Sequence, residues 1–333
     1  MGLAHTRRNS SWRPFRRLSQ YLYERHGERV FKVSVHGDFN CPNRDGTTGW
    51  DGCAFCSKEA VDPLGYEPGR SVSDQLRAGM SYVHQRHGTR RFIAYYQDYS
   101  ATYAPVERLA ALYEPALRTE EVVGLAVSTR PDCLPAPVLA LLGAVSSCKD
   151  LWVELGLQIA HDGLLASINR GHTVADFARA VAVCHAHGLP VCAHVIIGLP
   201  GASRRIERQT ADLLAELGIW GVKLHAFHVL RGTVMAERHA AGELRLLERE
   251  EHADRVVEFL ERMPPEVVVH RVTAESPRRC TVAPTWTVNK MRAYDAVLDA
   301  FSRGETWQGR LFASSPQSSS AAQLGSARTL SIR

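Results

Sequence analysis

Three cysteines, Cys41, Cys53 and Cys56, fall within one polar loop of the chain, Cys41-Pro-Asn-Arg-Asp-Gly-Thr-Thr-Gly-Trp-Asp-Gly-Cys53-Ala-Phe-Cys56. The C-x-x-C pair lets two sulfurs reach one metal centre from a single tight turn. Asn43, Asp45, Gly46, Gly49 and Gly52 supply turn chemistry between the first cysteine and the pair. A disulfide needs an oxidising compartment and usually a small domain, and neither suits a chain of 333 residues. Zinc needs a fourth ligand, and the nearby His36 sits on the strand side of the loop. An iron–sulfur cluster on three cysteines leaves one iron open to a cofactor. Cys53 and Cys56 alone would also serve a thiol oxidoreductase. The loop by itself leaves these readings open.

The elements that must position the loop follow from hydrophobic periodicity. Val30 to Val35 reads as a buried strand leading into it. Ser71 is placed to cap a helix with Asp74 in its first turn and Val72, Leu76, Met80 and Val83 inward. Further strands are expected at Phe92–Tyr96, Val122–Val127, Leu151–Leu155, Val191–Ile197 and Gly221–Val229. Helices are expected from Pro105, over Pro137–Val145 and Asp162–Ile168, after the Thr173 cap, and over Ile206–Leu217. Such alternation implies a parallel sheet covered on both faces, open or closed into a barrel. Beyond it lie a helix over Leu246–Met263, a short strand at Val267–Val269 and a helix from Asn289 to Phe301.

Hydrophobic residues make up 45% of the chain, enough for a sizeable core, and the net charge of +5 does not by itself point to nucleic acid. No apolar run is long enough to span a membrane. Arg7, Arg8, Arg13, Arg16 and Arg17 form a basic N-terminal stretch without the apolar centre of a signal peptide, so reduced cysteines and a cytoplasmic location are expected. The division expected is a solvated basic arm over 1–28, a core over 29–235, an extension over 236–312 and a disordered serine- and alanine-rich tail over 313–333.

In parallel α/β folds, ligands sit at the carboxyl ends of the strands. The six strand ends deliver, in order, the three cysteines; Gln97 to Pro105; Ser128, Arg130 and Asp132; Glu154 and Gln158; His194 and Gly198 to Gly201; and Lys223, His225, His228 and Arg231. Polar groups and glycines at every strand end argue for an enzyme with an extended polar cofactor or substrate.

These residues resemble a family. Cys41-x11-Cys53-x2-Cys56, Tyr95-Tyr-Gln-Asp-Tyr-Ser100-Ala-Thr-Tyr-Ala-Pro105, Val127-Ser-Thr-Arg-Pro-Asp-Cys133 and Trp152-Val-Glu-Leu-Gly-Leu-Gln158 are similar to segments of radical SAM enzymes. So are Ile168-Asn-Arg-Gly-His172, Ala193-His-Val-Ile-Ile-Gly-Leu-Pro-Gly201 and Lys223-Leu-His-Ala-Phe-His-Val-Leu-Arg-Gly232. More closely, they resemble the YhcC-like branch, related to the Elongator catalytic-subunit and coproporphyrinogen-dehydrogenase groups. The resemblance implies a partial (β/α)6 barrel with a small C-terminal α/β extension. It also implies a [4Fe–4S] cluster on Cys41, Cys53 and Cys56, S-adenosylmethionine on the open iron, and a flavodoxin or ferredoxin as electron donor. One-electron cleavage of the cofactor would give a 5′-deoxyadenosyl radical that abstracts hydrogen from a substrate, nucleic acid or metabolite.

Carried over residue by residue, Gln158 and Arg170 match cofactor contacts, the arginine suiting a carboxylate. Gln97 and Ser100 lie where related enzymes hold the amino group. Ser128 takes the place of a ribose-binding acid, and His194 that of an aspartate lining the site. Gly198 to Gly201 would let backbone approach adenine. Ala101 and Ala202 depart from the family pattern, each weakening one contact of the analogy. Cys184 and Cys192 read as small core residues; Cys133, Cys148 and Cys280 are scattered. Glu154 is placed to pair with Lys223 across the rim. Trp286, Asn289, Lys290 and Trp307 to Gly309 match the branch's C-terminal extension. The competing reading is a zinc-binding RNA-interaction or structural module, which leaves Gln158, Arg170 and the Gly198 turn unexplained.

Overall fold

A computed structural model of the chain describes residues 13–57, 69–274 and 276–312. The strands β1 (Val30–Val35), β2 (Arg91–Tyr96), β3 (Val122–Thr129), β4 (Asp150–Gln158), β5 (Val191–Ile197) and β6 (Gly221–Ala226) lie side by side in chain order. Every neighbouring pair is parallel. An order without reversal winds the sheet one way, so it curls into a half-barrel rather than an open doubly wound sheet.

The helices α2 (Val72–His87), α3 (Val106–Arg118), α4 (Ala136–Ser146), α5 (Asp162–Ser167), α6 (Val174–Ala186) and α7 (Arg204–Glu216) connect the strands. Ser71 and Thr173 cap α2 and α6 through the amides of Asp74 and Asp176, and Thr173 completes a reciprocal box with Asp176. Pro105 is the residue before α3 rather than its first. One set of strand residues, among them Val35, Tyr96, Val127, Leu155, Val195 and Leu224, packs outward on Leu109, Leu142, Phe177, Val181 and Leu214 of the helices. Each such buried aliphatic or aromatic side chain stabilises the fold by about 1.5–3 kcal/mol.

The sheet has a seventh member that the six-strand expectation left in the extension. β8 (Val268–Arg271) pairs in parallel with β6, leaving β1 and β8 as the two edges of the half-barrel. Between them in sequence come β7 (Val229–Leu230), α8 (Val234–Ala240) and α9 (Arg249–Leu260), and after them β9 (Thr281–Ala283), a 3-10 turn (Thr285–Val288) and α10 (Lys290–Arg303). β7 and β9 form a separate antiparallel pair, so the single strand expected over Gly221–Val229 is two.

The segment expected to be a solvated arm is folded where it is described. α1 (Leu18–His26) ends on the left-handed Gly27, and Arg17 bridges to Val269 of β8. Leu18, Tyr21 and Leu22 pack with Ile93, Tyr95, Ala126, Trp152 and Cys192, residues on the inner face of the sheet. α1 therefore plugs the barrel at its amino-terminal end. Arg7, Arg8 and the tail over 313–333 lie outside the described residues.

Candidate active site

The cysteine loop leaves β1 at the carboxyl end of the sheet and is wound by its own backbone. The amides of Thr48 and Gly49 donate to the Pro42 carbonyl, Gly52 N–H donates to Asn43, and Cys56 N–H closes a turn on Cys53 at 2.9 Å. Gly52 has a φ of +79°, a conformation that favours glycine, and a Cβ there would displace the Arg44 guanidinium, 2.8 Å away. Cys41 and Cys53 are buried and Cys56 is half-buried; all three are free thiols. Burial raises the Cys56 pKa and Arg44 lowers it, while Cys53 and Cys41 push it up further. Among the described residues, no three His, Cys, Asp or Glu side chains stand in ready-made metal-ligating geometry.

A second turn is clamped on this loop from across the barrel. After α5 the chain passes through Asn169, held at a φ of +51°, and Arg170 to Gly171, at +73°. Asn43 Nδ2 donates to the Asn169 carbonyl at 2.5 Å, and Asn169 Nδ2 donates to Gly52 O at 2.7 Å. Arg130 Nη1 donates to the Arg170 carbonyl at 2.8 Å, and Ala54 N–H to the Ile168 carbonyl at 2.9 Å. The buried Arg170 guanidinium then reaches Cys53 Sγ at 3.5 Å and the Gly156 carbonyl at 2.8 Å. Asp162, an acid at the start of α5, does not pair with Arg170 and accepts instead from the amide of Val174 at 2.7 Å.

Gly156 explains how Arg170 and Gln158 share a corner. A Cβ at 156 would lie 2.4 Å from Arg170 Nη2 and 2.8 Å from Gln158 Nε2. Gln158 ends β4 with a φ of +75°, at a register slip against β5. A non-glycine residue in that conformation is costly and concentrates at functional sites. His172 Nε2 lies 3.0 Å from the same Gly156 carbonyl oxygen, placed to donate to it.

The other sequence-derived residues spread over the rim and the interior. Gln97 Nε2 donates to Ser34 Oγ at 2.9 Å, and Ser128 stands in register with Glu154. Ser100 is fully buried beside the Cys133 thiol. Gly198, at +80°, would meet Leu247 at 2.6 Å with a Cβ, and its amide donates to Glu207 Oε1 at 2.8 Å. Glu207 is held in turn by Arg255 at 3.2 Å, so the extension braces this turn.

His194 belongs to a network that the sequence reading touched only in part. Glu154 is completely buried inside the barrel, below the rim, and its Oε1 meets Lys32 Nζ at 2.5 Å, Trp152 Nε1 at 3.0 Å and His270 Nδ1 at 3.5 Å. Its Oε2 meets Lys223 Nζ and His194 Nε2 at 2.8 Å each and the Tyr95 hydroxyl at 2.9 Å. Lys223 also donates to Tyr95. Burial alone would raise the Glu154 pKa, but Lys223 and Lys32 outweigh it and hold the carboxyl well below its ordinary range. Burial takes His194 down to about 4 and His270 to about 3, and Lys223 to about 8. Lys32, Tyr95 and His270 were missed as partners. The available signal was a charged residue in the middle of each mainly apolar strand: Lys32 in β1, Glu154 in β4 and Lys223 in β6.

A singly wound half-barrel with a three-cysteine loop and an arginine–glutamine corner at its carboxyl rim defines a class: enzymes that work on a cofactor held at the mouth of a parallel α/β barrel. The Radical SAM superfamily model matches residues 41–225, and the Radical_SAM C-terminal domain model matches 219–303. The chain is 40% identical to YhcC of Escherichia coli over 270 residues, covering 81% of this chain and 86% of that one. It is 36% identical to YtqA of Bacillus subtilis over 295 residues, covering 89% and 92%. The solved structure of Methanocaldococcus infernus Elp3 with an N-terminal deletion shares the fold, with a TM-score of 0.61 at 18% identity, over 85% of this chain and 67% of that one. The chain belongs to the radical SAM superfamily, in its YhcC-like branch.

The residues fit that family's cofactors, a [4Fe–4S] cluster and S-adenosylmethionine. Three thiols share one loop, and three guanidiniums, Arg44, Arg130 and Arg170, interact with them and would offset the negative charge of a thiolate-bound cluster. Arg170 Nε and Asn43 Oδ1 are buried with no protein partner, leaving polar capacity at the rim. Superfamily membership makes the protein an enzyme of S-adenosylmethionine-dependent radical chemistry. Nothing in the fold or the comparisons supports the zinc-module reading. No helix among the described residues is long and apolar enough to cross a membrane.

Proposed function

We propose that Cys41, Cys53 and Cys56 ligate the cluster and that Gln158 and Arg170 hold the amino-acid end of S-adenosylmethionine, in an enzyme that abstracts hydrogen from a substrate admitted to the barrel. The observation that carries this reading is the clamp between the cysteine loop and the Asn169–Gly171 turn, which brings Arg170 to Cys53 Sγ at 3.5 Å. When bound and reduced by one electron, the cluster and S-adenosylmethionine together supply a 5′-deoxyadenosyl radical; a flavodoxin or ferredoxin is the donor.

The protein's own part is orientation and exclusion. Arg170 is fixed by the Gly156 carbonyl on one side and by the thiol loop on the other, so its planar fork presents to a carboxylate without searching rotamers. Gln97, Ser100, Ser128 and Gly198 complete the rim around the remaining polar groups of the cofactor. His194, pinned to Glu154, lines the floor beneath. Anaerobic reconstitution tests the reading. The purified chain should take up iron and sulfide in equal amounts, turn brown and release 5′-deoxyadenosine on reduction with S-adenosylmethionine present. Zinc in place of iron would refute it.

A further inference from the structure

The Glu154 network is cationic in surplus. Lys32, Lys223 and Arg271 stand around the inner wall on β1, β6 and β8 with one carboxylate between them. Both Glu154 oxygens are already taken, by Lys32, Trp152 and His270 on one and by Lys223, His194 and Tyr95 on the other. No carboxylate among the described residues pairs with Arg271.

The backbone shows how Arg271 comes to face inward. Alternate residues of a strand point to opposite faces, so His270 and Arg271 should diverge. The register between β6 and β8 slips at this point: Val222 pairs with Val269, but Lys223 pairs with Arg271. The extra residue is His270, which still reaches Glu154 and Trp152 on the inner face. A bulge of this kind re-aims side chains and is over-represented beside active sites. Here it puts His270 and Arg271 on the same side, with the Arg271 charge acting on Tyr95, Lys223 and His225. Where β1 and β8 fail to pair, a cavity of about 990 Å³ lies between them and α1, lined by Arg271, His270, Lys32, Arg17, Tyr294 and, from α1, Glu24.

We propose that Arg271 is the anchor of a substrate subsite in this lumen that takes an acidic group, a carboxylate or a phosphate. Arg271 is half-buried and faces the cavity with no carboxylate paired to it, so an anion can reach it from solvent, and its fork matches either group bidentately. The neighbouring lysines cannot compete for that role, because each is spent on Glu154. The inference rests on reading the lumen as the substrate's place in a radical SAM enzyme, and it adds the charge class of that substrate.

The test uses the full chain, reconstituted with cluster and S-adenosylmethionine, and follows thermal unfolding at constant ionic strength in a series of inorganic phosphate and a series of malonate. A ligand of the native state raises Tm with concentration. At least one series should do so, and which one does separates the phosphate from the carboxylate source. Arg271→Lys should need about tenfold more probe for the same shift, and Arg271→Gln should lose the response. Arg77→Gln, an exposed charge removed from α2, should respond as the wild type does. A wild type indifferent to both probes, or an Arg271→Gln variant that responds fully, would overturn the proposal. Should the glutamine variant fail to fold, the lysine variant decides. Iron content and S-adenosylmethionine affinity, measured in the same samples, should be unchanged by either substitution; their loss in the wild type would sink the cofactor reading instead.

Discussion

The cysteine rim and the Glu154 network sit one above the other in the same barrel and are built on opposite principles. The network is carried by strands, and its carboxylate accepts from five side chains, with His270 Nδ1 3.5 Å away. The rim is carried by loops, uses left-handed residues at Gln158 and Asn169, and leaves Arg170 Nε and Asn43 Oδ1 without partners. Buried polar groups are normally satisfied by protein or water. The contrast separates a carboxylate satisfied within the protein from a rim whose loop atoms keep open polar capacity, while His270 and His225 at the margin of the network also keep unpartnered nitrogens.

The sharpest way to break this comparison is to remove a rim sulfur. Cys56→Ala should abolish cluster assembly while leaving the barrel folded, and Cys184→Ala, a buried thiol on α6, should leave iron uptake intact. Iron per chain in the two purified variants checks this; equal iron would remove Cys56 from the ligand set. In the network the reverse holds. Glu154→Gln leaves two lysines without their counter-charge and should cost about 3–5 kcal/mol of stability, read from urea midpoints of the cluster-free chain. A loss under 1 kcal/mol would mean that water already screens the lumen.

Smaller effects sharpen the boundary between the two regions. Arg170→Lys should retain the cluster but weaken S-adenosylmethionine binding by roughly 1–3 kcal/mol, measured by equilibrium dialysis with iron checked alongside. Unchanged affinity on a full cluster would take Arg170, and with it Gln158, out of the cofactor site. The smallest effect is on pH. His194 and His270 are held neutral in the folded chain, at about 4 and about 3, against an ordinary value of 6.5. Between 6.5 and those values the unfolded chain binds more protons, so stability should fall as pH drops below 6.5, by about 1–2 kcal/mol per histidine at pH 5. The depressed Glu154 contributes its share above 4.5 and loses it only below, so it does not mask this slope. His270→Phe should flatten the urea-midpoint slope between pH 7 and 5; an unaltered slope would assign it to other groups.

What the sequence disclosed divides along the same line. The cysteine spacing, the caps at Ser71 and Thr173 and the alternation of strands with helices are local patterns, and each was readable before any contact was known. The pairing of Val268–Arg271 with β6 depends on contacts more than forty residues apart in the chain, and four residues offer too little periodicity to reveal it. α1 hid in a stretch whose arginines suggested an arm, because its apolar side, Leu18, Tyr21 and Leu22, is short and matters only against Trp152 and Tyr95. Glu154 was read as a rim residue because it lies near a strand's end in sequence; its depth is set by β4 running on to Gln158. Arg170 was read as a cofactor contact from the family resemblance alone; its approach to Cys53 depends on the clamp through Asn43 and Asn169, which had no signature of its own.

That clamp has a consequence in time. The Asn43–Asn169 bond spans 126 residues, and the Arg170–Cys53 contact spans 117. Contacts of such separation carry a large loop-closure cost and form after the local ones. On the ribosome, the cysteines emerge well before the turn that shapes their loop. The turns inside the cysteine loop can therefore form early, whereas the clamp that fixes Arg170 against it cannot close until four strands of the barrel have been made.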